Sequence, residues 1–258
     1  MDALALLLKH KIPDTFISSS NHISILVWFH FNEDRTEKKL GGITFTYSSS
    51  ITISDEEKLL LAKIKTLFNS KSVPTLEIIF NQSCTEFSID KKIFNAENAI
   101  NYINETLGLP PKSNNGNSAK PINDKLQVKD AFHLWSRENF HPNRVIKQDI
   151  DVISLKKDNS LIIFEIKRSD YKNWAPFSND SNNYESLFIL QKHLECKCIT
   201  MNHPVKEEAD EKNFKSLLNG KEIRVFPNNL PNLSFTAFSR QTPQILIYSS
   251  ENDQLKNK

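Results

Sequence analysis

Ile150-Asp151-Val152-Ile153-Ser154-Leu155, the polar turn Lys156-Lys157-Asp158-Asn159-Ser160 and the run Leu161-Ile162-Ile163-Phe164-Glu165-Ile166-Lys167-Arg168 form the deciding stretch of this 258-residue chain. Leu161 to Phe164 is apolar at every position, which predicts a strand covered on both faces. The turn is short, so the strand over 150–155 folds back beside it. Strand side chains alternate with a period of two, so Glu165 and Lys167 share a face and Ile166 takes the other. Pairing of the two strands brings Asp151 next to Glu165. Burying a charge costs several kcal/mol unless it is paired or metal-bound. Acids and an amine at the end of an interior strand therefore call for a chemical reason.

Around this hairpin the pattern predicts a helix over 128–140, with apolar positions at Val128, Ala131, Phe132 and Trp135. A loop follows over 169–182, then a helix over 183–195 and a strand over 196–202. Further toward the N-terminus the pattern is α+β. Strands are expected over 23–31, 43–47, 75–80 and 85–89. Ser54 with Glu57 makes a capping box for a helix running to Phe68. A second helix is expected over 96–107. Pro110-Pro111, the polar run Lys112 to Ser118 and Pro121 read as a linker. The expected organisation is an α+β domain over 1–109 for recognition or dimerisation, a linker over 110–124, and a second domain over 125–258.

Composition bounds the function. Lys and Arg number 33 against 31 Asp and Glu, a net charge of +2, which excludes a polycation of the histone kind. Residues 120–258 carry a net +3, too little to point to a partner. Three cysteines cannot build a disulfide framework and read as reduced thiols. Cys196 and Cys198 alone make a poor zinc site. No run of about 20 apolar residues is present, and the N-terminus lacks a basic start, so a cytoplasmic protein without a membrane segment is expected. Five glycines and no Gly-x-Gly-x-x-Gly leave little room for a nucleotide-cradling loop, and no Gly-x-Ser-x-Gly elbow occurs.

Two carboxylates on neighbouring strands suit a hard cation such as Mg²⁺ or Mn²⁺. A lysine two residues past the second can orient water or steady a phosphate. This is equipment for metal-assisted phosphodiester hydrolysis. Asp151, a 13-residue gap and Glu165-Ile166-Lys167 between apolar strands resemble the PD-(D/E)XK, or restriction-endonuclease-like, nuclease superfamily. The resemblance covers about residues 126–203, and Ile150 stands where many members have proline. It implies a mixed central sheet flanked by helices, Asp151 and Glu165 as metal ligands, and Lys167 as the water-orienting base. It also implies DNA as substrate, Mg²⁺ as cofactor with Mn²⁺ substituting, and a 5′-phosphate product. If the strand register shifts, Asp149 replaces Asp151.

Other residues join by position. Glu138 falls on the apolar stripe of helix 128–140 and is the candidate for the metal-site glutamate that such nucleases often carry on the preceding helix. Gln191 falls seven residues after Tyr184 on the stripe of helix 183–195 and resembles a glutamine found in some exonuclease-like members, although their accompanying tyrosine is missing. Trp174, in the mixed loop Asp170-Tyr171-Lys172-Asn173-Trp174-Ala175-Pro176-Phe177, is a candidate for stacking on bases. Arg168 and Lys147 are candidate phosphate contacts. His133 and His141 have no metal-ligand spacing and read as structural or exposed. A homodimer is expected because cutting both strands takes two sites. The N-terminal part is the candidate for docking a protein partner. Restriction or another anti-phage defence is the setting that analogy offers.

Overall fold

The computed structural model describes residues 15–18, 23–112, 131–205, 211–228, 234–249, 251 and 254–257. In chain order the strands are β1 (Thr15–Ser18), β2 (Ser24–Phe31), β3 (Lys38–Ser48), β4 (Thr75–Phe80), β5 (Glu86–Ile89), β6 (Lys92–Asn95) and β7 (Val145–Asp149). They continue with β8 (Val152–Leu155), β9 (Leu161–Arg168), β10 (Lys197–His203), β11 (Glu222–Asn228), β12 (Gln244–Ser249) and β13 (Gln254–Asn257). The helices are α1 (Asp55–Ser70), α2 (Ala96–Leu107), α3 (Ala131–Asn139), α4 (Ser181–Leu194), α5 (Glu211–Leu218) and α6 (Phe235–Ser239), with one 3₁₀ turn at Ser178–Asp180. The protein is a mixed α/β molecule built on two mixed sheets flanked by helices, as the α+β expectation has it. Among the described residues, no helix is long and apolar enough to cross a membrane.

The chain divides into two compact units, one of residues 22–149 and one of residues 1–21 with 150–258. The expected boundary at 110–124 is therefore corrected to 149/150. Residues 113–124 of the expected linker, and the first turn of the helix expected over 128–140, lie outside the described residues. The boundary moves because α3 and β7 belong to the earlier sheet. β7 pairs antiparallel with β2, Asp149 opposite Leu26, and Phe132 and Phe140 pack on Trp28. Beyond the boundary, β8 pairs with β1. The run expected as one strand over 150–155 begins at Val152 instead, because Ile150 and Asp151 form the step from one sheet to the other.

The unit of residues 22–149 has the strand order β6-β5-β4-β3-β2-β7, with only β3 and β4 parallel. α1 makes the parallel crossover and starts at the capping box, Ser54 with Glu57. Its Phe68 stacks on Phe45 on one face. α2 and α3 cover the other, placing Ile103 and Phe132 against Leu76 and Ile78. A Cβ on Gly42 would meet the Pro74 carbonyl oxygen at 2.6 Å, so the close approach of backbones there requires glycine.

Among the described residues, the second unit has the order β1-β8-β9-β10-β11-β12-β13, with only β9 and β10 parallel. The two-sided apolar run predicts this central position for β9. One face carries Ile166, Met201 and Val225 under Phe214 and Leu218 of α5. The opposite face, with Glu165, Lys167, Thr200 and Phe226, is covered by α4 and α6, where Phe238 packs on Tyr184, Phe188 and Phe226.

Candidate active site

β8 and β9 are antiparallel, with Val152 opposite Phe164. Continuing that register by one residue sets Asp151 opposite Glu165. The Asp151 carboxylate caps the adjoining peptide: its Oδ2 accepts the Ile166 N–H at 2.6 Å. Glu165 is 8% exposed, and its Oε1 lies 2.9 Å from Lys167 Nζ. The ammonium also approaches Asp180 Oδ2 at 3.9 Å and stands 5.9 Å from the centre of the Tyr184 ring. Asp151, Glu165 and Lys167 are thus brought together at the C-terminal end of β9.

Electrostatics follow from this packing. Burial pulls the Lys167 pKa down, but Glu165, Asp180 and Asp151 more than offset it, and the ammonium ends above the ordinary lysine value. At neutral pH it is a charged donor, suited to holding a water or a phosphate oxygen. Tyr184 is 1% exposed, with no partner for its hydroxyl among the described residues. Burial first, then the charges of Glu165 and Asp180, push its pKa far above the usual phenol value. It stays neutral and floors the site with a ring.

Asp180 and Tyr184 were not among the sequence candidates for chemistry. Their signal was a spacing of four across the start of a helix, which puts both on one helical face. Tyr184 read as core because the stripe continues through Leu187 and Phe188. Asp180 read as loop because it sits at the helix start.

The remaining candidates have other contacts. Glu138 is exposed, because the buried stripe of α3 runs through Phe132, Ser136 and Phe140. Its carbonyl accepts from Lys112, and both residues belong to the unit of residues 22–149. The expectation that Glu138 faces a core is therefore corrected. Lys147 belongs to that unit too, with its ammonium bonded to Ser136 Oγ and set 5.4 Å from the Trp28 ring. So does Asp149, 3.7 Å from His133 Nδ1; the acid that the β8–β9 register and the Ile166 hydrogen bond bring beside Glu165 is Asp151.

Arg168 follows Lys167 on the strand and so points to the opposite face, paired in register with His203. Trp174 is 3% exposed and packs edge-on against Phe226 and Phe177, so it anchors its loop and cannot stack on a base. Gln191 is buried, and its Nε2 donates to the Asn228 carbonyl at 2.8 Å. Asn228 lies opposite Cys198, two and four residues along β10 from the rows of Glu165 and Lys167. At roughly 3.3 Å per residue, that sets Gln191 away from the cluster.

No protein-family model matches the chain, and no curated protein matches it in sequence.

Among the described residues, no three His, Cys, Asp or Glu side chains gather as a complete metal-binding set. Mg²⁺ does not require one, since it keeps several waters and is commonly held by one or two carboxylates plus substrate phosphate. A carboxylate has about four lone-pair positions, so Asp151 can ligate while accepting from Ile166. The donor set of Asp151 and Glu165 fits a hard divalent cation. Cys196 and Cys198 do not form an alternative centre. Cys198 Sγ donates to the Leu187 carbonyl at 3.6 Å, and the neighbouring Cys196 thiol, together with burial, holds the Cys198 thiol well above its ordinary pKa.

Proposed function

We propose that the unit of residues 1–21 and 150–258 is a Mg²⁺-dependent endonuclease that hydrolyses phosphodiester bonds of DNA, with a core of the restriction-endonuclease-like kind. The observation that carries this reading is the convergence of Asp151, Glu165 and Lys167 at one strand end of a buried sheet. Asp151 and Glu165 would hold the cation, which supplies Lewis acidity toward the phosphoryl group and acidifies water for attack. Lys167 offers its ammonium to the attacking water and to a non-bridging phosphate oxygen. Asp180, 3.9 Å from the ammonium, is a second carboxylate that helps to hold it in place. The Ile166 N–H fixes the orientation of the Asp151 carboxylate, and the Tyr184 ring keeps bulk water from beneath the cluster. A cytoplasmic homodimer would present two such sites to opposite strands. Residues 22–149 would select substrate or dock a protein partner, and restriction or anti-phage defence is the fitting setting.

A second reading has its own support. Lys167 is closed onto Glu165 at 2.9 Å, as in a pair that serves only the fold. The protein is then a DNA-binding or docking module without hydrolysis.

Supercoiled plasmid with Mg²⁺ separates the two. The wild type is expected to nick and linearise it, EDTA to stop the reaction, and Lys167→Ala to slow it about 100-fold, the usual cost of removing one charge-stabilising donor. Equal cleavage by wild type and Lys167→Ala ends the nuclease reading. Plasmid retention without cleavage by either supports the binding module.

A further inference from the structure

Two of the exposed large apolar side chains among the described residues lie in one short loop directly after the lysine strand. Tyr171 is 64% exposed and Phe177 is 49% exposed. Leaving aromatic rings in water is unfavourable, and a fold can avoid it with polar residues at no cost. The loop is also pinned. The Ser169 N–H donates to the His203 carbonyl at 2.9 Å, and Asn202 Nδ2 donates to the Ser169 carbonyl at 3.2 Å. The Trp174 N–H donates to the Tyr171 carbonyl at 3.0 Å, and the Trp174 ring is buried on Phe226. Phe177 stands edge-on to that ring at 6.1 Å. The rings are therefore held out on a fixed support.

We propose that Tyr171 and Phe177 form a stacking platform for unpaired bases, so that the nuclease takes single-stranded or frayed nucleic acid at this loop. The proposal rests on the nuclease reading for its purpose, not for its chemistry. From 171 to 179 the exposed side chains are Tyr171, Lys172, Asn173, Phe177, Ser178 and Asn179. They comprise two rings, one cation and four residues with amide or hydroxyl groups if the tyrosine is counted twice, and they include no acid. Asp170, exposed, stands before this span. Rings interleaved with a cation and amides match a strand whose bases offer flat faces and polar edges and whose backbone is anionic. The core of a protein interface is depleted of lysine and serine, both of which stand exposed among these rings as Lys172 and Ser178. In a duplex the base faces are already stacked on each other, so the platform engages stretches that have come unpaired, as beside a strand being cut. Lys167 is four residues before Tyr171, so at most about 14 Å of chain separates the proposed cleavage site from the start of the platform.

The test is binding of a fluorescently labelled 20-nucleotide single strand and of its duplex by full-length protein in EDTA, where cleavage is off. The single strand, as DNA or as RNA, is expected to bind more tightly than the duplex. Tyr171→Ala and Phe177→Ala should each weaken single-strand binding about tenfold with little change for duplex, and Tyr171→Phe should retain it. Both residues are exposed, so an unchanged melting temperature checks the fold. Duplex preference, or alanine variants that bind as wild type, overturns the platform. So does an alanine variant that changes only the size-exclusion volume, which would assign the rings to a second copy of the chain. Plasmid cleavage with Mg²⁺ is read separately. Cleavage that survives loss of single-strand binding leaves the nuclease reading standing without the platform, and binding without cleavage does the reverse.

Discussion

Lys167 sits between two acids of unequal closeness, Glu165 at 2.9 Å and Asp180 at 3.9 Å. A cation taken up by Glu165 competes with the ammonium for that carboxylate, and Asp180 remains to hold it. Asp180→Asn is therefore expected to lower the cleavage rate about tenfold, as loss of a supporting group around a metal site does, with the Mg²⁺ concentration for half-maximal rate unchanged. A raised Mg²⁺ requirement would make Asp180 a ligand instead. His203, on the opposite face of the sheet, is expected to make stability sensitive to acid. It is buried against Phe214, and among the described residues neither ring nitrogen has a partner. Burial, and then the charge of Arg168, push its pKa from 6.5 down to about 4. On acidification the unfolded chain binds this proton first, so stability is full above pH 6.5 and is lost as pH falls toward 4. The loss is on the order of 3 kcal/mol. Urea midpoints across this range should fall for wild type and stay flatter for His203→Leu; parallel slopes would exclude His203 as the cause. Neither Asp180 nor His203 was legible as special, because a single acid before a helix and a single histidine at a strand end have many innocuous placements.

Elements were legible where one periodicity ran unbroken. β4 and α2 occupy their expected spans, 75–80 and 96–107, because each has flanking polar residues and a single buried stripe. β9 was legible for a different reason, an apolar run covered on both faces, and its alternation put Glu165 and Lys167 on one face. α3 shows the failure. Apolar residues at 131, 132 and 135 fit a stripe ending at Glu138, yet the packed stripe turns through Ser136, a polar residue that hydropathy ignores. β7 was missed because Lys147, Gln148 and Asp149 hide its pairing edge. The loop after β9 was legible as mixed but not by role, since burial assigns Trp174 to the core and Tyr171 to solvent, and only packing decides which ring is which. Trp174 is the anchor. Trp174→Ala should cost about 3 kcal/mol in urea unfolding, a typical price for emptying a large buried site. It should also speed amide exchange over 169–177 more than over β9. A uniform change across both would show that the loop is held by other means.

At the scale of the molecule, the division at 149/150 gives one unit that is continuous in sequence and one that is not. The prolines at 110–111 marked a true break in periodicity, but a break in periodicity is not a break between cores. β7 returns to pair with β2 from more than a hundred residues away, a long-range pairing that no local pattern announces. The discontinuous unit depends on β1, whose four residues pair with all four of β8, from Thr15 opposite Leu155 to Ser18 opposite Val152. β8 is buried at every position and neighbours the strand that carries Glu165 and Lys167. Without β1 its outer edge is left with unpaired N–H and C=O groups beside apolar side chains, an edge that invites association. A fragment of residues 22–149 is therefore expected to unfold cooperatively by itself, since its sheet and both helical layers are internal to it. A fragment of residues 150–258 should elute as oligomers on size exclusion, and adding a peptide of residues 1–21 should shift it toward monomer. A monomeric, cooperatively folding 150–258 fragment would show that β1 is dispensable, and the hairpin bearing the candidate site would then owe its order to β9 and β10 alone.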